Sequence, residues 1–183
     1  MIGARAFPFI DKPRTLKTKM KKTPAWLALA LLSGGPLLAL TPGDEDEILF
    51  IKQEEKLARD VYLALGEAWG TQVFLNIAQS EQRHMNAVDG LIATYGLADS
   101  SPEALGEFTI PALTDLYATL IEKGMRSETD ALEVGVLIEE TDIDDLEVMI
   151  AQIEDSYVDR VLGNLLRGSY NHLEAFGAVL DGT

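Results

Sequence analysis

Glu81 and His84 in "SEQRHM" stand three residues apart, a spacing that brings both side chains onto one helix face about 4.5 Å apart along the axis. They fall between Ile77 and Val88, apolar residues at helical spacing, so an acid and an imidazole are expected on a buried face. The chain has only one other histidine, His172 in "GSYNHLEAF", and it too is bracketed by apolar positions, Leu165, Leu173 and Phe176. Paired acids adjoin two further apolar stripes: Glu54 and Glu55 in "EEKLARDVYLAL", and Glu139 and Glu140 in "LIEETDI". Buried without partners, such groups cost several kcal/mol each or force the carboxylates to take up protons. Direct Glu–His hydrogen bonding can relieve any one of them. Acids from two segments, Glu-x-x-His from a third and His from a fourth point instead to a divalent cation, which neutralises several carboxylates at once and accepts imidazole nitrogen. Periodicity sets Glu54 with Phe50, Leu57 and Val61 on the more apolar stripe and favours Glu139 in its own segment, so both members of each pair remain candidate ligands.

The elements that would position these groups are all helical. Thr41, Pro42 and Asp44 supply a cap, a first-turn proline and a first-turn acid, and apolar spacing then continues to Trp69-Gly70. Thr71 is placed to cap a second helix that ends at Tyr95-Gly96, and so short a link makes the two helices antiparallel neighbours. Residues 97–110 read as a loop, and Pro111 to Lys123 as a short helix stopped by Gly124. Ser127 with Asp130, and Ser156 with Asp159, are capping pairs for two more long helices. No strand is needed. The expected fold is all-α: a ferritin-like four-helix bundle over residues 41–183, its two hairpins joined by a long crossover that carries a short extra helix.

The stretch Glu55 to Tyr62, E-K-L-A-R-D-V-Y, resembles the E-x-x-A-R-x-x-Y signature of rubrerythrin-type ferritin-like proteins, and "IAQSEQRHM" resembles the Glu-x-x-His helix that follows it. With "IEE.DI" and "LLRGSYNHL" the likeness extends over about residues 45 to 180, and is similar to an uncharacterised domain family placed among the ferritin-like folds. That resemblance puts Glu55, Glu81, His84 and His172 at ligand positions and Glu139 or Glu140 at the ligand position of the third long helix. Tyr62 becomes the catalytic-site side chain that orients a ligand. It implies iron as a di-iron pair, or manganese, with zinc compatible with the same donors, acting on peroxide or dioxygen. One departure stands out. Where the symmetric template has a second Glu-x-x-His, this chain has Ser169-x-x-His172, so the site is one carboxylate short and a second metal would lean on Glu140 or water.

Residues 1–40 differ in kind. They hold seven of the fifteen basic residues and one of the thirty acids, followed by the apolar run "PAWLALALLSGGPLLAL". This is the order of a secretory signal peptide, and "MKKTPAWLALALL" would be a compact one starting at Met20. Export to a periplasmic or extracellular location is expected, with an uncleaved membrane anchor as the alternative. From Thr41 onward eight basic and 29 acidic residues remain, a net charge of −21. Such a surface repels nucleic acid and anionic lipid and attracts cations. No cysteine is present, which excludes thiol chemistry and a rubredoxin-like electron donor. Ser169 and His172 lack an oxyanion-hole turn, and the Gly168-Ser169 step is read as a close helix contact. Three classes of function remain: a redox enzyme, a metal-binding protein without an organic substrate, and a metal-free helical interaction module. The oligomeric state is left open, a dimer included.

Overall fold

In the computed structural model, which describes residues 40–182, the chain forms five helices and, among the described residues, no strand. The expected signal segment lies outside the described residues, apart from Leu40. None of the described helices is long and apolar enough to cross a membrane. The helices are α1 (Pro42–Trp69), α2 (Gln72–Tyr95), α3 (Pro111–Gly124), α4 (Glu128–Ile150) and α5 (Ser156–Gly182). Helix α1 begins on a capping box in which Thr41 and Asp44 satisfy each other's backbone N–H groups. Ser127 caps α4 by accepting from the Asp130 N–H at 3.0 Å. Two caps differ from expectation. The Thr71 side chain makes no cap bond to α2 and instead donates to Glu128, tying the first hairpin to the start of α4. For α5 the cap is Asp155 rather than Ser156: its Oδ1 accepts from the N–H groups of Tyr157 and Val158, because a carboxylate one residue upstream reaches the orphan donors first.

Helices α1 and α2 pair as one hairpin and α4 and α5 as another, while α2 packs on α5 and α1 on α4. Helix α3 lies against α1 and α4. Left-handed glycines end the first two helices, Gly70 at φ 70° and Gly96 at φ 67°, where residues with a Cβ would be strained. The crossover loop is bound to α1 by buried polar groups. Lys56 Nζ donates to the carbonyls of Ala104 and Glu107 and to Asp60, Gly106 N–H donates to Asp60, and Gln53 pairs with both the N–H and the hydroxyl of Thr109.

The apolar core is in two pieces. One, towards α3, contains Val61, Tyr62, Leu65, Phe74, Ile77, Leu132, Ile138 and Phe176; the other contains Ile48, Ile51, Val88, Leu91, Leu146, Leu162 and Leu165. In all four long helices the gap between the pieces falls at the same height: near Glu55, Glu81 to His84, Glu139 to Asp142, and Ser169 to His172. The core therefore opens onto a polar layer closed above and below by apolar side chains. Gly135 sets the spacing of α4 and α5 beside this layer. A Cβ there would meet the Phe176 ring at 2.7 Å, and that ring is already held between Tyr62 (5.1 Å) and Phe74 (5.2 Å). Gly135→Val is expected to cost about 3 kcal/mol, the upper part of the overpacking range. A chemical denaturation midpoint within error of wild type would show that Phe176 can retreat after all.

Candidate metal centre

Each of the four long helices contributes to the polar layer through its own register. From α1 it is Glu55, 1% exposed, whose Oε2 lies 3.1 Å from His84 Nδ1. Glu54 is also buried, but it is Glu55 that meets the histidine. Helix α2 brings Glu81 and His84 together as the three-residue spacing requires, Oε2 to Nδ1 at 2.8 Å. The other oxygen of Glu81, Oε1, lies 2.8 Å from Nδ1 of His172 on α5. Helix α4 supplies Glu139, whose Oε2 is 3.5 Å from the same Nδ1 and whose Oε1 accepts a 2.6 Å hydrogen bond from Tyr62. Of the two acids on α4, Glu139 turns inward. Glu140 is exposed and cannot supplement the site, because one residue along a helix is a turn of 100° to another face.

Glu81 thus sits between two halves, Glu55 with His84 and Glu139 with His172. The two imidazole rings stack at 5.3 Å between centroids. Both present Nδ1 to the acids. For His84 this orientation follows from Gly168: a Cβ on α5 would fall on Nε2, so the absence of a side chain lets that edge of the ring rest against the helix. The close helix contact expected of the Gly168-Ser169 step is therefore present, and it serves the histidine.

Hydrogen bonding does not satisfy every group in the layer. A single Nδ1–H of His84 cannot serve two carboxylates fully, and Glu81 Oε1, Glu55 Oε1 and His172 Nδ1 are buried without a hydrogen-bond partner. Oxygen and nitrogen atoms about 3 Å apart also have the spacing of ligands around one ion, whose bonds are about 2.1 Å long. Glu81, His84 and His172 each offer an atom within 4.8 Å of the others, a group that could hold a metal ion.

Without a cation the layer holds protons instead. Burial disfavours charge on both imidazoles, but Glu55 and Glu81 overcome it at His84, raising its pKa to about 11, and Glu139 and Glu81 do so at His172, raising it to about 9. Burial also opposes the charge on Glu81, yet the two imidazoles beside it hold its pKa down to about 2. Burial pushes Glu139 up to about 8, and pushes Glu55 well above the carboxylate range with the Asp142 charge adding to it. Tyr62 is likewise raised, first by burial and then by Glu139, so its hydroxyl remains a donor.

Asp142 is the site residue that sequence reasoning missed. It lies three residues after Glu139, the same spacing as Glu81 to His84, and accepts a 2.5 Å hydrogen bond from Ser169. Part of the residue reaches the surface, but its carboxylate has lost enough water for its pKa to rise to about 6, with the Ser169 bond opposing and the Glu81 charge adding. Of the charges acting on Glu55, that of Asp142 is the strongest.

Residues 44–183 match the family model described as an uncharacterized protein domain, DUF2202. The chain belongs to the DUF2202 family. A curated relative of this DUF2202 domain, "Uncharacterized protein MJ0754" of Methanocaldococcus jannaschii, is 42% identical over 154 residues, 84% of this chain and 83% of the relative. The crystal structure of hypothetical protein MJ0754 from Methanococcus jannaschii DSM 2661 is similar with a TM-score of 0.79, covering 82% of this chain and 86% of that one. The DUF2202 match begins just inside α1 and runs through α5, so every residue of the polar layer lies within the family domain.

Proposed function

We propose that this DUF2202 domain binds iron or manganese in a two-metal carboxylate–histidine centre of ferritin-like type and uses it to reduce peroxide or dioxygen. The observation that carries this reading is the approach of His84 Nδ1 and His172 Nδ1 to opposite oxygens of the buried Glu81, each at 2.8 Å, in a layer where Glu55 Oε1, Glu81 Oε1 and His172 Nδ1 make no well-formed hydrogen bond. The mixed oxygen and nitrogen donors suit both metals, and either metal, when bound, supplies the electrons for such a reduction. The chain's own residues have separable tasks. Glu81 is shared between the halves, and Glu55 and Glu139 close each half. Tyr62 fixes the Glu139 carboxylate by donating to one oxygen and leaving the other turned inward. Phe74 and Phe176 on one side, and Ile51, Val88 and Leu165 on the other, exclude water, so charge is felt more strongly across the site.

Elemental analysis of the purified full chain tests the reading. One to two metals per chain are expected, falling by at least half in His84→Ala and in His172→Ala; equal metal content in all three proteins would remove the centre. The absence of cysteine favours a second reading, metal binding without turnover, since electrons must then come from another protein or from the metal itself. Consumption of hydrogen peroxide by the ferrous-loaded protein, measured against both histidine variants, separates the two.

A further inference from the structure

Resting on the metal-centre reading, we propose that Asp142 supplies the carboxylate missing at Ser169, reaching across from α4 to complete a second metal position, and that Ser169 is its positioning residue. Ser169 occupies on α5, relative to His172, the place that Glu81 occupies on α2 relative to His84. A side chain so short cannot ligate from there, but it is 1% exposed and its hydroxyl donates to Asp142 Oδ2 at 2.5 Å. The carboxylate that α5 lacks therefore arrives at the same spot from α4, one turn beyond Glu139.

Two further observations point to a cation there. Glu55 Oε1 is buried in the same layer without a hydrogen-bond partner, an unsatisfied oxygen that a cation would meet. Charge balance then fixes the number. Glu55, Glu81, Glu139 and Asp142 carry four negative charges when ionised, which two divalent cations neutralise with both imidazoles neutral. With Asp142 left out, a second divalent ion would leave a net positive charge inside an apolar interior, which is costly. Asp142 is thus what allows the second ion, and Ser169 holds it ready by occupying one of its oxygens.

The test is titration of the metal-free full chain with manganese(II), followed by equilibrium dialysis and electron paramagnetic resonance. Wild type is expected to bind two ions per chain and to show the signal of an exchange-coupled pair. Asp142→Asn, nearly isosteric, is expected to bind one, with the isolated six-line manganese signal. Ser169→Ala is expected to weaken the second ion about tenfold while the first is unchanged. The double exchange Asp142→Ser with Ser169→Glu, which returns the acid to α5, is expected to restore two ions and the coupled signal. Two ions bound by Asp142→Asn as tightly as by wild type would overturn this inference and leave the metal centre standing. No manganese bound by wild type would overturn both. Thermal melts of the metal-free variants identify any that fail to fold, and for those the double exchange decides.

Discussion

Asp60→Ala is expected to lower stability by about 3–5 kcal/mol, more than any other single truncation of a polar side chain outside the metal centre. Asp60 is fully buried and receives Lys56 Nζ at 2.6 Å, Arg59 at 2.7 and 2.9 Å, and the Gly106 N–H at 3.0 Å. Lys56 is itself 1% exposed, so without the acid an ammonium stays in the interior with only two loop carbonyls and the Phe108 ring to stabilise it. The crossover loop would lose its hold on α1 at the same time. For a chain of this size the loss corresponds to a fall in melting temperature of roughly 6–20 °C. The exposed Asp115→Ala is the control and should change stability by no more than about 0.5 kcal/mol. A loss below about 1 kcal/mol in Asp60→Ala would mean that the loop is anchored chiefly by Gln53 and Phe108.

The second large effect is on pH dependence, and metal is expected to reverse it. In the metal-free chain His84 and His172 have raised pKa values, so their contribution is complete below the ordinary imidazole range and is lost as pH climbs through about 9 and then about 11. Glu139 and Asp142, raised to about 8 and about 6, keep protons that the unfolded chain has already released, so stability falls as pH rises towards those values. Glu81 acts in the other direction: lowered to about 2, it stabilises above the ordinary carboxylate range and loses this only as pH falls towards 2. Asp142 acts up to about pH 6, Glu139 up to about pH 8, and the two histidines from the ordinary imidazole range upward, so between about pH 5 and pH 9 the folded chain always holds at least one extra proton. Metal-free stability should therefore decline across that window, by about 1.4 kcal/mol per pH unit for each extra proton the folded chain holds. Manganese competes with those same protons, so the increase in melting temperature that it produces should grow over the same window. The His84→Ala, His172→Ala double variant should show a shallower decline and little response to manganese. A metal-free melting temperature that is flat or rising between about pH 6 and pH 9 would contradict the proton inventory of the layer.

Local sequence patterns were sufficient for the helices because their causes are local. The capping box at Thr41, the Ser127 cap, the left-handed glycines at 70 and 96, and the proline at 111 act within a few residues of themselves. The same is true of Glu81 and His84, which helical spacing alone puts together. His172 could be singled out because an imidazole in an apolar stripe is unusual, although the stripe does not say which acid it will face. Where two adjacent acids competed, periodicity gave an answer only when one face was clearly more apolar. It favoured Glu139 over Glu140, and Glu139 is the one that is buried beside His172. On α1 it favoured Glu54, whereas the likeness to rubrerythrin-type chains favoured Glu55, and Glu55 is the one that reaches His84. Both acids are buried on a helix that is covered on several sides, so there is no polar face to sort them.

By itself, then, the sequence determined which segments coil, where they stop, and that Glu81, His84, Glu139 and His172 fall on apolar faces, since each depends on backbone capping and apolar spacing over one or two turns. Only the tertiary structure decided that Asp142 meets Ser169, that Gly168 seats His84, and that Lys56 and Asp60 clamp the crossover loop. Those pairings join residues on different helices or in a loop, and their distances are set by how closely whole helices approach. No pattern within a single helix encodes that approach.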